Sequence, residues 1–406
     1  MEIIQNTAVK ITVPEHIVPH IKEKIERSEV VEWRGNLADM MVFWGVEEMT
    51  QLNSMISFRT NLPSPITRDY DWPGLYVPFD HQRTTAEFLS IHRRAFCFNE
   101  AGTGKTSSVI WAADYLMTQG LIKRVLVICP LSIMYSAWQA DVFNTAMHRT
   151  SGVAHGSAEK RKKIIQGDYE FIIINFDGVG VVLDEIKKGG FDLIVIDEAN
   201  AYKSPKTVRW KNLAKVMAPE TRLWMLTGTP ASQSPVDAFG LAKLVCPHNV
   251  PKFSMAWRDK VMQQITRFKW VPKPNAKNEV FKALQPAIRF AKNDCLDLPD
   301  VMYLTRDVPL TAQVTKFYKQ LKDQMMIEAA GAQVSAVNAA AGLNKLLQIS
   351  GGAVYTDTKE VIEFDVTPRL AALQEALDET DHKVLVFVPY RPVSYTHLTL
   401  PTILRV

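Results

Sequence analysis

The amino-acid sequence predicts an α/β fold with a parallel sheet and, ahead of it, a small α+β domain. Stretches of helical spacing alternate with short apolar runs, as in parallel sheets buried on both faces. The five runs are residues 95–98, 124–130, 171–176, 191–196 and 222–226. One run precedes a glycine-rich turn at residues 102–106, and another ends in Asp197 and Glu198. Both polar groups follow the carboxyl ends of predicted strands, where such sheets bind their ligands.

Residues 1–65 have a different pattern and predict the α+β accessory domain. Residues 9–13 alternate like a strand, and residues 16–25 carry apolar side chains at helical spacing. Residues 40–45 predict a further strand before a proline-rich connector at residues 61–65. We consider two roles for this domain: a scaffold that covers the main domain, or a docking surface for nucleic acid or a protein partner.

The composition is that of an ordinary globular protein. The 406 residues are 47% hydrophobic and 22% charged, a length that predicts two to three domains. We find no apolar run of about eighteen residues and no leader, so we expect no membrane span and no secretion. The expected location is the cytoplasm, or association with a nucleoid or nucleus. The net charge of +4 permits a polyanionic partner, and the four scattered cysteines predict free thiols.

The turn at residues 102–106 has the features of a phosphate-binding loop. It lies between a short apolar run, residues 95–98, and a helical pattern, so backbone N–H groups and the helix N-terminus would face an anion. Lys105 would reach the β- and γ-phosphates, and the Thr106 hydroxyl would bind Mg²⁺. The other interpretation is a glycine turn with a surface lysine. The predicted cofactor-binding residues are Gly102, Thr103, Gly104, Lys105 and Thr106.

The acidic pair supplies the second half of the predicted site. Asp197 would hold Mg²⁺ and Glu198 would orient and activate the attacking water, since both follow the buried run 191–196. The other interpretation is an ordinary acidic strand end. We expect the pair to face Lys105 across a bound magnesium–triphosphate, on a neighbouring strand.

Two further polar elements are placed to complete the site. Gln82 begins a helix ahead of the loop, where its amide could read the adenine edge, although an exposed helix-start glutamine looks the same. The run at residues 222–226 ends in Thr227, Gly228 and Thr229. The hydroxyls of the two threonines are expected to hydrogen-bond the acidic turn and to couple it to the γ-phosphate, whereas a plain strand-to-loop turn is the alternative.

In their order along the chain, these elements resemble superfamily 2 helicase-like ATPases, and most closely the Swi/Snf-type DNA translocase branch. The resembling elements are Gln82, the loop 102–106, residues 129–132, residues 197–199 and residues 226–230. The resemblance covers about residues 70–392. It extends through Lys292–Asp294, Leu298–Pro299, residues 309–313 with Phe317 and Tyr318, the helix at 343–349 and a strand at 383–387.

The resemblance implies two RecA-like domains that close on ATP and Mg²⁺ and step along double-stranded DNA. Residues 130–132 and 175–178 would touch the DNA backbone, with basic surface from residues 160–163 and 203–215 nearby. An RNA helicase of the same superfamily and a nucleotide-switched DNA clamp without turnover are the alternatives. The predicted domains are accessory 1–65, first RecA-like 66–250, helical linker or protrusion 251–308, partial second RecA-like 309–392 and a non-native-looking tail 393–406.

Three departures from the family pattern stand out. Asn99 occupies the position of the loop's first glycine, as in many helicase-type ATPases, and Asn200 stands where the family usually has histidine. The later motifs, including an arginine that would complete the ATP site from the second domain, are not found after Tyr390. The tail resembles translated vector sequence. We therefore expect a truncated second domain and poor ATP hydrolysis by this chain.

Overall fold

The structure is a computed structural model that describes residues 1–56, 62–267, 269–297, 299, 301–331, 336–356 and 360–390. The chain divides into two compact units, Met1–Leu298 and Pro299–Val406. Of the sequence predictions, residue 61 of the connector, Leu298 of the Leu298–Pro299 segment and the tail from residue 393 lie outside the described residues.

The first unit begins with an antiparallel sheet in the order β1-β2-β4-β3, as far as the chain is described. Its strands are β1 (Glu2–Ile4), β2 (Ala8–Pro14), β3 (Ser28–Arg34) and β4 (Leu37–Phe43), and the accompanying helices are α1 (Val18–Lys24), α2 (Val46–Met55) and α3 (Ile66–Asp69). The two predicted strands and the predicted helix are confirmed. Strand β3 was not predicted because most of its residues are exposed, which removes the apolar alternation.

The main sheet of the first unit is parallel and, in the described part, has the order β13-β5-β10-β9-β6-β8-β7. Its strands are β5 (Arg94–Cys97), β6 (Val125–Cys129), β7 (Ser151–Ala154), β8 (Phe171–Asn175), β9 (Leu193–Ile196), β10 (Arg222–Leu226) and β13 (Ala287–Ile288). The five strands expected from apolar runs are confirmed. Strands β7 and β13 were missed, because one is built of small residues and the other is two residues long.

Two layers of helices cover this sheet. Alternate side chains of one strand point to opposite faces, so Val127 of β6 belongs to one apolar core and Ile128 to the other. The first core also contains Val9 and Met40, so the N-terminal sheet packs into it. The helices are α4 (Asp80–Ile91), α5 (Lys105–Thr118), α6 (Ala140–Thr145), α7 (Ala158–Gln166), α8 (Gly178–Val181), α9 (Leu183–Lys188), α10 (Val208–Val216), α11 (Ala238–Val245), α12 (Ser254–Val261), α13 (Ala276–Ala283) and α14 (Lys292–Cys295).

One expectation about this sheet is wrong. The phosphate-loop strand β5 and the acidic strand β9 are not neighbours, because β10 pairs with both of them. The order along the chain could not reveal this, since β10 comes last of the three and inserts between the other two. The ends of β5 and β9 are therefore separated by two strand spacings, about 10 Å.

The second unit contains helices and a hairpin among its described residues. A small apolar cluster of Val314, Ile349, Val354 and Phe364 joins its first two helices to the hairpin. The elements are α15 (Ala312–Gly331), α16 (Ala336–Gly351), β14 (Ala353–Tyr355), β15 (Val361–Glu363) and α17 (Thr367–Asp378). The short antiparallel ribbon β11 (Met262–Gln264) and β12 (Trp270–Pro272) belongs to the first unit.

The helix predicted at residues 343–349 is confirmed as part of α16. The strand predicted at residues 383–387 is wrong, because these residues form no regular secondary structure. Leu385 is 78% exposed and Phe387 is 90% exposed. An apolar run becomes a strand only where a neighbouring strand accepts its hydrogen bonds, and no strand of the described residues pairs with this segment.

None of the helices in the described ranges is long and apolar enough to cross a membrane.

Candidate nucleotide-binding site

The predicted site residues lie along the carboxyl edge of the main sheet. Strands β5, β10 and β9 run parallel and end at this edge. The loop after β5 carries Lys105, and the turn after β9 carries Asp197 and Glu198. Because β10 lies between them, the two groups face each other across a gap of about 10 Å at the strand ends. Such a gap has room for a triphosphate and its metal ion.

The phosphate loop has the backbone that its glycines predict. Gly102 has φ of 82° and Gly104 has φ of 74°, both in the left-handed region that favours glycine. Helix α5 begins at Lys105, so the first turn of a long, buried helix opens toward the loop. The Lys105 ammonium donates to the Glu100 carbonyl at 3.1 Å and thus lies over the loop. Thr106 follows in the first helical turn.

Gln82 contacts the phosphate loop directly. Its Oε1 accepts from the Phe79 amide at 3.0 Å, and its Nε2 donates to the Thr103 carbonyl at 3.3 Å. A Cβ at Gly104 would lie 1.9 Å from Gln82 Nε2, so glycine is required for this close approach. Both ends of the amide are therefore used to hold the loop, and adenine recognition by Gln82 stays a prediction.

Asn99 explains why the loop dispenses with its first glycine. The side chain is fully buried, and its Nδ2 donates to Thr85 Oγ1 at 2.8 Å. Its Oδ1 accepts from the Phe290 amide at 3.0 Å. The asparagine thus ties the loop to α4 on one side and to the segment after β13 on the other. Sequence reasoning marked Asn99 only as a departure and missed this role.

The acidic turn is shaped by partners that hold its first carboxylate. Asp197 Oδ2 accepts from Trp138 Nε1 at 3.0 Å, and Oδ1 accepts from the Glu198 amide at 2.9 Å. Burial raises the pKa of Asp197, while these two donors and Lys105 act to lower it. Trp138 was not identified from the sequence. No local pattern marks it, because its burial and its hydrogen-bond partner are set by tertiary packing.

Glu198 is the more accessible carboxylate of the pair. Its backbone is left-handed, with φ of 52°. Burial and the neighbouring Asp197 raise the pKa of Glu198, and Lys105 acts to lower it. A carboxylate with a raised pKa is a better proton acceptor at neutral pH.

The turn after β10 lies between these two parts. Asn200 Nδ2 donates to Thr227 Oγ1 at 3.1 Å and to the Thr229 carbonyl at 3.0 Å. A Cβ built at Gly228 would lie 3.5 Å from the Ala101 amide nitrogen, so the same turn borders the phosphate loop. The expected hydrogen bond between this turn and the acidic turn is present, and Asn200 supplies it. A coupling role for Thr227, Gly228 and Thr229 stays a prediction.

The two segments predicted to contact DNA differ in whether their side chains already have partners within the chain. In residues 175–178, Asp177 accepts two hydrogen bonds from Arg209, at 2.7 and 2.8 Å. This arginine of the basic series is therefore already paired with a carboxylate. In residues 130–132, Leu131 is 52% exposed. A DNA contact by either segment stays a prediction.

These features define a P-loop nucleotide-binding protein of the α/β class. A glycine–lysine loop opens a helix and faces a strand-end carboxylate pair at the ligand-binding edge of a parallel sheet. The Thr106 hydroxyl and the Asp197 carboxylate are oxygen donors of the kind that Mg²⁺ prefers. The arrangement can bind a nucleoside triphosphate and place a carboxylate base beside its terminal phosphate.

Comparison with known proteins gives the family. The model of the SNF2-related domain matches residues 45–351, and the chain belongs to that family. The chain is therefore an SNF2-family ATPase core, and the predicted α/β fold with a RecA-like, parallel-sheet P-loop domain is confirmed.

Individual relatives are distant. Protein p41 of Acyrthosiphon pisum secondary endosymbiont phage 1 is 25% identical over 75% of this chain and 70% of its own length. The SWI/SNF-related matrix-associated actin-dependent regulator of chromatin subfamily A containing DEAD/H box 1 homolog of Drosophila melanogaster is 26% identical over 55% of this chain, which spans 28% of that protein. Rat chromodomain-helicase-DNA-binding protein 6 is 29% identical over 46% of this chain, or 8% of its own length.

Among solved structures, the Sulfolobus solfataricus SWI2/SNF2 ATPase core in complex with dsDNA is similar to this chain. The two share 22% identity over 76% of this chain and 66% of that one, with a TM-score of 0.49.

Proposed function

We propose that the chain is the core of an ATP-dependent motor that hydrolyses ATP with Mg²⁺ and translocates on double-stranded DNA. One observation carries the proposal: the loop that carries Lys105 and the turn that carries Asp197 and Glu198 lie at the same carboxyl edge of the parallel sheet, on either side of β10. Family membership adds that this edge belongs to an SNF2-family ATPase core.

Each residue of the site has a definite part in this proposal. Lys105 and the loop amides bind the β- and γ-phosphates, and Thr106 and Asp197 supply ligands to Mg²⁺. Glu198 accepts the proton of the attacking water. Bound Mg²⁺ would neutralise phosphate charge and polarise the terminal phosphoryl group. Thr227 and Thr229, joined to Asn200, would transmit the change between ATP and ADP.

Double-stranded DNA is the proposed track. The name of the Sulfolobus structure records DNA with that protein, and we extend the partner to this chain through the shared family. Binding would rest on backbone phosphates, so we expect little dependence on sequence and a steep loss of affinity with salt.

The test measures ATP binding first and stimulated turnover second, because turnover requires binding. Mant-ATP titrations with Mg²⁺ measure binding, and phosphate release is followed with duplex DNA, single-stranded DNA or duplex RNA. The proposal expects saturable ATP binding and greatest stimulation by duplex DNA. Equal or greater stimulation by RNA would favour an RNA helicase. Tight binding without turnover in a version extended by a family second domain would favour a nucleotide-switched clamp.

A further inference from the structure

A segment near the end of the first unit runs along the phosphate loop. We call residues 286–292 the strap. Strand β13 pairs in parallel with β5, and the ladder continues past it: the Phe98 amide donates to the Ile288 carbonyl at 2.8 Å and the Glu100 amide to the Phe290 carbonyl at 3.0 Å. The strap therefore follows β5 out of the sheet and reaches the loop itself.

Side chains of the loop hold the end of the strap in place. The carboxylate of Glu100 accepts from the Lys292 amide at 3.0 Å and pairs with Arg289 at 3.6 Å. The Asn99 amide oxygen accepts from the Phe290 amide at 3.0 Å. Two consecutive loop residues thus fix the position at which the strap ends, and neither contact involves the Lys292 side chain.

The side chain of Lys292 lies over the glycine turn. Its Cε would be 3.8 Å from a Cβ built at Gly102, one of the two left-handed glycines of the loop. The ammonium is one bond further along. No carboxylate of the described residues forms an ion pair with Lys292, in contrast to Arg289 on the same strap. A second lysine therefore lies at the loop, and within the described ranges no carboxylate pairs with it.

We propose that Lys292 binds the phosphates of the nucleotide as a second cation beside Lys105, so that nucleotide binding orders the strap. This inference rests on the proposed function, in which the loop binds ATP. An ammonium without a carboxylate partner gains a charge-assisted hydrogen bond when a phosphate oxygen arrives. The strap precedes the second unit in the chain, which begins at Pro299. Ordering of the strap by nucleotide would therefore restrain the segment that leads to that unit.

The experiment compares nucleotide affinity in matched variants. Lys292→Gln removes the charge and keeps most of the side chain, whereas Lys292→Arg keeps the charge. Lys277→Gln makes the same change on the exposed face of α13 and serves as the control. Mant-ADP and mant-ATP titrations at several salt concentrations give the dissociation constants, and thermal melts establish that each variant is folded.

We expect Lys292→Gln to weaken ADP and ATP binding about tenfold and to flatten the salt dependence of the affinity. Lys292→Arg should stay within about threefold of wild type, and Lys277→Gln should match it. Equal affinities for Lys292→Gln and Lys277→Gln would overturn the inference. Nucleotide binding by wild type that is lost in Lys105→Ala tests the proposed function separately, so the two can fail independently.

A second readout follows the strap rather than the ligand. Hydrogen–deuterium exchange of a peptide that contains residues 286–292 should slow at least about threefold when ADP is added to wild type, because the ligand holds Lys292 in place. In Lys292→Gln, at ADP concentrations that saturate the variant, this protection should be lost. Full protection in the saturated variant would mean that the strap responds to nucleotide without Lys292, which contradicts the inference.

Discussion

The phosphate loop and the acidic turn face each other but are built in different ways. The loop presents glycine backbone and one lysine, and it is held by Gln82 and by Asn99. The acidic turn presents carboxylates whose pKa values burial raises, and it is held by Trp138. Under the proposed function, nucleotide binding therefore falls to the loop, and metal binding and turnover fall to the acidic turn. Changes in the loop should alter nucleotide affinity, and changes in the turn should alter metal binding and rate.

The largest expected effect comes from the loop. Lys105→Ala removes the cation that lies over the loop, 3.1 Å from the Glu100 carbonyl. We expect ATP affinity to fall at least about a hundredfold, because several charge-assisted hydrogen bonds to phosphate are lost. Mant-ATP titration measures this, with Lys277→Ala as a control for loss of a lysine elsewhere. An unchanged ATP affinity in Lys105→Ala would mean that the phosphate loop does not bind the nucleotide.

Glu198→Gln should separate turnover from binding most clearly. The amide cannot accept the proton of the attacking water, so we expect kcat to fall about 10²–10⁴-fold. ATP affinity should stay within about threefold, because loss of the negative charge that faces Lys105 favours an anionic ligand. Single-turnover hydrolysis and equilibrium titration of the same preparation give both numbers. Full ATPase activity of this variant in an intact relative would mean that Glu198 is not the base.

Trp138→Phe tests how the acidic turn is held. The change removes the indole N–H that donates to Asp197 Oδ2 at 3.0 Å and keeps an aromatic ring in the core. Partners of this kind orient metal ligands, and their loss typically weakens metal binding about 10–100-fold. We expect ATP binding to need a higher Mg²⁺ concentration for its half-maximal enhancement. The affinity for metal-free ADP should be unchanged. Trp210→Phe, whose indole donates to Gly240 away from the site, is the matched control.

The smallest effect is expected where the turn after β10 meets the acidic turn. Asn200→Ala removes the hydrogen bonds to Thr227 and Thr229, a net loss of about 1 kcal/mol in unfolding free energy. ATP affinity should stay within about twofold, while stimulation by duplex DNA should fall severalfold because the proposed coupling contact is gone. Chemical denaturation and stimulated phosphate release measure the two effects. An equal loss of stimulation in the exposed Asn278→Ala variant would mean that Asn200 has no specific role in coupling ATP binding to DNA.

How far the sequence predicts this site depends on whether a feature is local. The loop around Lys105 and the carboxylates at 197 and 198 could be predicted, because a strand, a turn and a helix define them within a few residues. Trp138 and Phe290 could not, since tertiary packing brings them to these loops from other parts of the chain. The same limit explains the failed expectation that β5 and β9 are neighbours. Strand order depends on pairing that no local pattern records.

Whether the loop and the acidic turn form one nucleotide site is decided by the Mg²⁺ dependence of ATP binding in wild type and in Asp197→Asn. If Asp197 is a metal ligand opposite the lysine of the phosphate loop, Mg²⁺ should tighten ATP binding in wild type. In Asp197→Asn, ATP without metal should bind about as before and most of the gain from Mg²⁺ should be lost. If the variant kept the full Mg²⁺ dependence of wild type, the loop and the acidic turn would not form one site.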